Sequence, residues 1–102
     1  MSYLDRYFEL EQYYRNHYGN NVILLRESNM FYEIFQRNDF TMLLEISRIL
    51  HTIVTTIYDD GDVKIYVTGF LKFLKDQYIR MLVDNGAIIV IVDYEWGEKE
   101  SF

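Results

Sequence analysis

Hydrophobic residues in the first part of the chain recur at the intervals of an amphipathic helix. Ser2 followed by Asp5 fits a capping box at the start of this helix, and Gly19 supplies the left-handed residue at which helices commonly end. We therefore expect a helix over residues 3–18. Its inward stripe consists of Leu4, Tyr7, Phe8, Leu10, Tyr14 and Tyr18.

The next part of the chain contains a short apolar run and an aromatic-rich stretch. Residues 22–25 are continuously apolar, which is typical of a strand in the middle of a sheet covered on both faces. The stretch that follows can present Phe31 to solvent beside Glu33. Four of its apolar residues also have the spacing of a buried helix face behind a Ser or Asn cap, so two interpretations stay open. These four are Met30, Phe31, Ile34 and Phe35.

Two further helices are indicated by apolar stripes in the second half of the chain. Asn38 or Asp39 can cap the first of them, which ends near His51. The second extends over residues 71–85 and is closed by Gly86, a residue type that is common just after a helix. Each helix presents one apolar stripe that can pack against a sheet.

The remaining strands are predicted from β-branched and alternating segments. An Asp-Gly turn lies between residues 52–58 and 63–67, which is a strong signal for a β-hairpin. Residues 87–92 are continuously apolar and predict a buried final strand. An acidic segment follows, and its Trp96 either covers the sheet edge or docks on a partner.

Length and composition bound the class of protein. At 102 residues, of which 50% are hydrophobic, the chain is long enough for one domain with one core. The lack of cysteine removes disulfides and cysteine zinc sites, and His17 and His51 are too few for a metal cluster. No nucleophile elbow, phosphate loop or pair of carboxylates is visible, so we expect neither catalysis nor a cofactor.

The charge balance argues against unaided binding of DNA. The formal net charge is −6, whereas phosphate neutralisation by Lys and Arg supplies most non-specific affinity for DNA. The basic residues are spread along the sequence without a contiguous block. Neither a long apolar run nor a signal-peptide pattern is present, so we expect a soluble intracellular protein with no membrane partner.

Two stretches carry a resemblance to a known family. Residues 31–35, Phe-Tyr-Glu-Ile-Phe, are similar to the family's Phe-Tyr-Glu-Leu-Phe. Residues 78–86, Tyr-Ile-Arg-Met-Leu-Val-Asp-Asn-Gly, are similar to its Tyr-Leu-x-x-Leu-Val-x-x-Gly. With the order of elements, these stretches make residues 7–95 resemble the N-terminal mismatch-recognition domain (domain I) of the MutS family of DNA mismatch-repair proteins. The high Tyr, Ile and Asn content and the lack of Pro resemble divergent versions carried by some large DNA viruses.

The resemblance implies an α/β fold over residues 1–95, with residues 96–102 as an acidic C-terminal tail. The expected architecture is a single mixed β-sheet of about four strands with a central hairpin, flanked by three to four helices. In the family, a Pro-containing loop leads from the hairpin into the last helix. The corresponding residues here, Thr68-Gly69-Phe70, contain no Pro.

The resemblance also implies a DNA site. In the family, the Phe stacks on a mispaired base of a kinked duplex and the Glu forms a hydrogen bond to the same base. Carried over, Phe31 is the wedge and Glu33 the reader, with Asn29 and Met30 at positions where the family has Gly and a polar residue. The implied partner is mismatched or distorted double-stranded DNA, bound weakly by this domain alone and aided by a protein partner or other MutS domains.

A second function stays open on the sequence alone. The chain can keep this fold without DNA recognition and act as a non-catalytic protein-interaction or structural module through exposed aromatic residues. Exposure of Phe31 beside basic residues favours DNA, whereas burial of Phe31 with Phe35 favours this module. If the chain is viral, we expect it in the nucleus, a cytoplasmic viral factory or the virion. The candidate aromatic contacts are Tyr3, Tyr7, Tyr13, Tyr14, Tyr18 and Trp96.

Overall fold

The computed structural model describes residues 2–102, with side chains described from Leu4 onward. The capping box expected at Ser2 and the ring of Tyr3 lie outside these described side chains. Three α-helices, one 3-10 turn and six strands follow one another along the described chain. They are α1 (Ser2–Tyr18), β1 (Val22–Glu27), β2 (Phe31–Arg37), α2 (Thr41–Leu50), β3 (Thr55–Asp59), β4 (Lys64–Leu71), the 3-10 turn (Lys72–Leu74), α3 (Lys75–Asp84), β5 (Ile88–Val92) and β6 (Glu98–Ser101).

All six strands join one mixed sheet in the order β3-β4-β2-β1-β5-β6. β1 pairs in parallel with β5 and antiparallel with β2, and the other pairs are antiparallel. The expected α/β class with a single mixed sheet is confirmed. Residues 22–25 are buried in a central strand, as predicted, whereas the β3–β4 hairpin lies at one edge of the sheet and not at its centre.

Helices cover both faces of the sheet, which gives three layers. On one face, Tyr7 and Tyr14 of α1 pack with Leu24, Phe35 and Val90 of the strands. On the other face, the buried residues of α2 and α3 form a second cluster with the alternate residues of the same strands. Because successive side chains of a strand point to opposite faces, β1, β2 and β5 need apolar residues on both.

The strand count differs from the expected four because two strands lack a clear sequence signal. β2 occupies the stretch whose spacing also fits a buried helix face, and that helical interpretation is wrong. Tyr32, Ile34 and Phe35 are all buried in β2, so hydrophobic and polar residues do not alternate along it. β6 has the polar sequence Glu-Lys-Glu-Ser, which an edge strand tolerates because much of it stays solvated.

Residues 96–102 contribute to the sheet through their backbone. Glu100 of β6 lies opposite Ile91 of β5. Phe102 and Ile89 exchange two backbone hydrogen bonds, of 2.9 and 2.7 Å. The segment expected as an acidic tail therefore includes an edge strand, since main-chain hydrogen bonding does not require apolar side chains.

The connections also differ from expectation at one place. Thr68, Gly69 and Phe70 lie inside β4 and not in a loop, and α3 begins at Lys75 after the 3-10 turn. Gly69 is required here because a Cβ would overlap the backbone oxygen of Tyr32 in β2. The predicted end of α2 near His51 is confirmed, since His51 adopts the left-handed conformation with φ of 58°.

Tyr7 joins α1 to the middle of the sheet. Its hydroxyl donates a 2.6 Å hydrogen bond to the carbonyl of Leu24 in β1 and accepts a 3.3 Å bond from the N–H of Phe35 in β2. Direct β1–β2 pairing is limited to Arg26 with Glu33 and Glu27 with Tyr32. The hydroxyl thus bridges the two strands where their ladder has ended.

Candidate nucleic-acid interface

The four residues expected to form the site lie together at one end of the sheet. Asn29 and Met30 are exposed in the turn from β1 to β2, while Phe31 begins β2 and Glu33 lies two residues further on. The turn is closed by Ser28, whose N–H and hydroxyl both donate to the carbonyl of Phe31, at 2.9 and 3.2 Å. Its position is therefore fixed by the strands on either side.

Phe31 projects at the rim of the sheet and is not sealed in the core. Its side chain is 48% exposed, whereas Phe35 on the same face is 1% exposed and packs against the ring of Tyr7. Phe31 lies opposite Leu71, and the N–H of Lys72 donates a 2.8 Å bond to the carbonyl of Met30. The end of β4 thereby supports the exposed turn.

Phe73 adds a further exposed ring next to Lys72, whose N–H bonds to this turn. It follows Lys72 in the 3-10 turn and is 75% exposed, while Met30 is 59% exposed. Phe73 is not part of the apolar stripe expected for the last helix, and the sequence did not single it out as a candidate site residue. The rim therefore offers several apolar side chains to a partner, and of Met30, Phe31 and Phe73 it is Phe31 that lies in a β-strand.

Glu33 is half-buried and lies opposite Arg26 across the β1–β2 pair. Its Oε1 is 3.7 Å from Nη1 of Arg26. Burial raises the pKa of the Glu33 carboxyl above its ordinary value, and the nearby Arg26 guanidinium acts in the opposite direction. A carboxyl with a raised pKa takes up a proton at a higher pH than usual, and when protonated it can donate as well as accept a hydrogen bond.

Arg26 is the residue that the sequence analysis missed. It is only 8% exposed, and its guanidinium carbon lies 4.9 Å from the ring centre of Tyr94 and 4.7 Å from that of Trp96. A charged residue that directly follows the apolar run at 22–25 was the available signal. Its aromatic neighbours could not be found in this way, because they lie about seventy positions further along the chain.

The turn that carries Trp96 is well defined. One carboxylate oxygen of Asp93 accepts hydrogen bonds from the N–H groups of Glu95 and Gly97, at 2.8 and 2.9 Å. Trp96 has a positive φ of 71°, and its N–H donates to the carbonyl of Asp93 at 3.0 Å. Of the two alternatives for Trp96, packing on this protein is the one that the structure shows.

Basic residues gather at the same end of the sheet despite the acidic total. Glu27 lies 3.4 Å from Lys72 and 3.0 Å from Lys99, and Lys75 pairs with Glu100. Together with Arg26 and Glu33, these ion pairs contain four cations and three carboxylates. A hydrogen bond from Lys99, aided by the charge of Lys72, lowers the pKa of Glu27. Glu27 is therefore an anion at neutral pH, shared by two lysines.

Only part of the set of aromatic residues considered for a protein partner is exposed. Tyr7 and Tyr14 are core residues, at 0% and 6% exposed, and burial raises the pKa of Tyr14 to about 12. Tyr13 and Tyr18 remain exposed on α1. The helical spacing correctly placed Tyr7 and Tyr14 on the inward stripe, but it also placed Tyr18 there, which is exposed at the end of the helix.

Comparisons with known proteins leave the family undetermined. No family model matches the chain, and no curated protein matches it. Within residues 2–102, no helix is both long and apolar enough to cross a membrane. The same described residues contain no cluster of three or more His, Cys, Asp or Glu side chains suited to a metal ion.

Proposed function

We propose that this chain is a DNA-binding module that probes mispaired or distorted duplexes with Phe31 as a wedge and Glu33 as a hydrogen-bonding reader. The proposal follows the resemblance to the mismatch-recognition domain of the MutS family. The observation that carries it is the exposed ring of Phe31 at the sheet rim, with the carboxyl of Glu33 on the same face two residues along the strand.

The energetics of a wedge favour weak points in the duplex. Unstacking a base step costs a few kcal/mol, and the cost is lower where pairing is already faulty. Stacking of one base on an aromatic ring returns about 1 to 3 kcal/mol. A single exposed ring therefore selects deformable sites without reading sequence, and the net affinity that it supplies is small.

The surrounding charges support a contact of modest strength with a polyanion such as DNA. The ion pairs at this end of the sheet contain four cations, and three carboxylates neutralise most of them. Phosphate contacts by Lys and Arg provide the bulk of non-specific affinity. A partner chain or further domains that grip the DNA backbone would complete the interaction.

Fluorescence anisotropy with labelled duplexes at low salt tests the proposal. One duplex contains a single mispair and the other is fully matched. We expect tighter binding of the mispaired duplex, and we expect Phe31→Ala to weaken that binding by about 5- to 150-fold, the equivalent of about 1 to 3 kcal/mol. Tyr13→Ala is the matched control, because Tyr13 is 53% exposed on α1. Equal affinities for both duplexes, unchanged in Phe31→Ala, would remove the proposal.

The alternative function is a protein-interaction module that keeps the fold without DNA recognition. The exposed pair Tyr13 and Tyr18 on α1, and the net charge of −6, favour it. Sedimentation velocity over a range of concentrations separates the two. A monomer at every concentration that binds mispaired DNA supports the first function, whereas self-association or a stable protein complex without DNA binding supports the second.

A further inference from the structure

A chain of contacts links the C-terminal segment to the proposed reader. The rings of Tyr94 and Trp96 lie 4.9 and 4.7 Å from the guanidinium carbon of Arg26. The guanidinium lies 3.7 Å from the carboxyl of Glu33. Neither the Phe-Tyr-Glu motif nor the charge pattern of the sequence indicates this arrangement.

The contacts restrict Arg26 far more than a surface ion pair would. Arg26 is 8% exposed in a central strand, and the Asp93 turn fixes the backbone that carries both rings. A guanidinium beside aromatic faces gains cation–π attraction, and the gain is larger where water is excluded. The planar group is thereby held in one orientation, with its edge available to the carboxyl across the strand pair.

We propose that Arg26, held against the rings of Tyr94 and Trp96, is the positioning residue for the Glu33 carboxyl. This role rests on the proposed function of Glu33 as the reader. A carboxyl that is already held in place loses less conformational entropy when it bonds to a mispaired base, so that hydrogen bond contributes more to the preference for mispaired DNA. The C-terminal segment, expected to be a tail, is thus part of the site's support.

The test has one arm without DNA. Carbon-13 NMR of labelled glutamate side chains follows the titration of the Glu33 carboxyl in the free protein. In Arg26→Met the carboxyl loses its neighbouring cation, so its pKa is expected to rise further above that of the unaltered chain. Lys99→Met is the control, because it removes a cation that pairs with Glu27 at the same end of the sheet, and it should leave Glu33 unmoved.

The ring variants decide whether the aromatic residues act through Arg26. Tyr94→Ala and Trp96→Leu should raise the Glu33 pKa in the same direction by a smaller amount, and Tyr94, at 67% exposed, can be replaced without disturbing the core. Adding Tyr94→Ala to Arg26→Met should change nothing more. An unchanged Glu33 titration in Arg26→Met, or in both ring variants, overturns the proposal.

The second arm measures discrimination. The ratio of affinities for mispaired and matched duplexes should fall about tenfold in Arg26→Met, the effect of losing one well-placed hydrogen bond, while the contribution of Phe31 persists. If the unaltered chain shows no preference for mispaired DNA, the proposed function fails, and the NMR arm still decides whether Arg26 positions Glu33. A preference that persists at full strength in Arg26→Met counts against the positioning role.

Discussion

The hydroxyl of Tyr7 is a buried polar group of α1 that forms hydrogen bonds with both β1 and β2. It is completely buried, and burial raises its pKa well above the ordinary value. It supplies a donor to Leu24 and an acceptor to Phe35 at the point where direct strand pairing has stopped. A phenylalanine at this position keeps the ring contacts and removes only the bridge.

We expect Tyr7→Phe to lower the free energy of unfolding by about 1 to 3 kcal/mol, because buried backbone groups lose a hydrogen-bond partner. Urea denaturation measures the change, and amide exchange at Phe35 should accelerate. Tyr13→Phe on the exposed face of α1 is the control and should stay within about 0.5 kcal/mol of the unaltered chain. Equal stability of Tyr7→Phe and Tyr13→Phe would show that the bridge contributes nothing.

Glu11 is an ionisable residue in an unfavourable position. Its carboxylate is 16% exposed and lies 3.5 Å from Arg15. Burial raises its pKa above 4.5, and the charges of Arg15 and Arg37 only partly offset this. The folded state therefore holds the proton more tightly than the unfolded state does. The stability that the protonated carboxyl contributes is fully present below pH 4.5, and it is lost as the pH rises through the pKa of Glu11 in the folded state.

A glutamine at position 11 does not ionise, so Glu11→Gln removes this pH-dependent loss of stability. We expect the free energy of unfolding of the variant, relative to that of the unaltered chain, to increase as the pH rises by about three units, from 4 to 7. Urea denaturation across that range gives the difference at each pH. Glu9→Gln, 69% exposed on the same helix, is the control whose pH dependence is subtracted. A difference that shrinks with rising pH would mean that Arg15 outweighs burial at Glu11.

At the scale of elements, β6 contributes through backbone pairing and through the turn before it. A chain that stops at residue 95 loses this strand and the packing of Trp96 on Arg26. We expect its free energy of unfolding to fall by about 3 kcal/mol or more, in line with removal of a packed tryptophan. Urea denaturation measures it. Full-length Ser101→Thr, at an exposed position of β6, should be nearly neutral, and equal stability of the truncated chain would contradict a structural role for β6.

The difference between local signals and contacts with distant parts of the chain explains how far the sequence could predict the fold. α1, β1, α2, the β3–β4 hairpin and β5 follow from one-sided apolar stripes, continuous apolar runs and an Asp-Gly turn, all of which are local signals. β2 is buried on both faces near its middle, so its spacing fits a helix equally well. β6 is polar and is defined by its partner β5, which no local pattern reveals.

The candidate site could likewise be predicted only as far as its residues are neighbours in the chain. Phe31, Glu33, Asn29 and Met30 do lie together, since they are neighbours in the chain. Whether Phe31 faces solvent was not decidable from spacing, because exposure depends on where α1 stops covering the sheet. The contact of Arg26 with Tyr94 and Trp96 joins distant parts of the chain, so only the folded structure reveals it.

At the scale of the whole molecule, charge is distributed unevenly. The net charge is −6, but the ion pairs at the end of the sheet that carries Phe31 contain four cations for three carboxylates. Asp93 and Asp76 also lie close enough to act on Lys99 and Lys75. The β3–β4 hairpin, with Asp59, Asp60 and Asp62, lies at the opposite end of β4. Eight strand residues extend over roughly 25 Å. That separation exceeds the Debye length of about 10 Å at 0.1 M salt, so the charges of the hairpin are largely screened from the rim around Phe31.

In the proposed interaction with DNA, Glu27 is the carboxylate that competes directly with phosphate for Lys72 and Lys99. Glu27→Gln frees Lys72 and Lys99 for phosphate contacts, so affinity for duplex DNA should rise several-fold at 0.1 M salt, and the salt dependence should steepen by about one to two in log–log slope. The rise should be equal for matched and mispaired duplexes, because phosphate contacts position a protein without reading bases. Anisotropy titrations at several salt concentrations provide both quantities.

Asp62→Asn changes the net charge by the same amount at the far end of β4 and should have almost no effect. An equal gain from Asp62→Asn would mean that total charge, and not its placement around Phe31, governs the interaction.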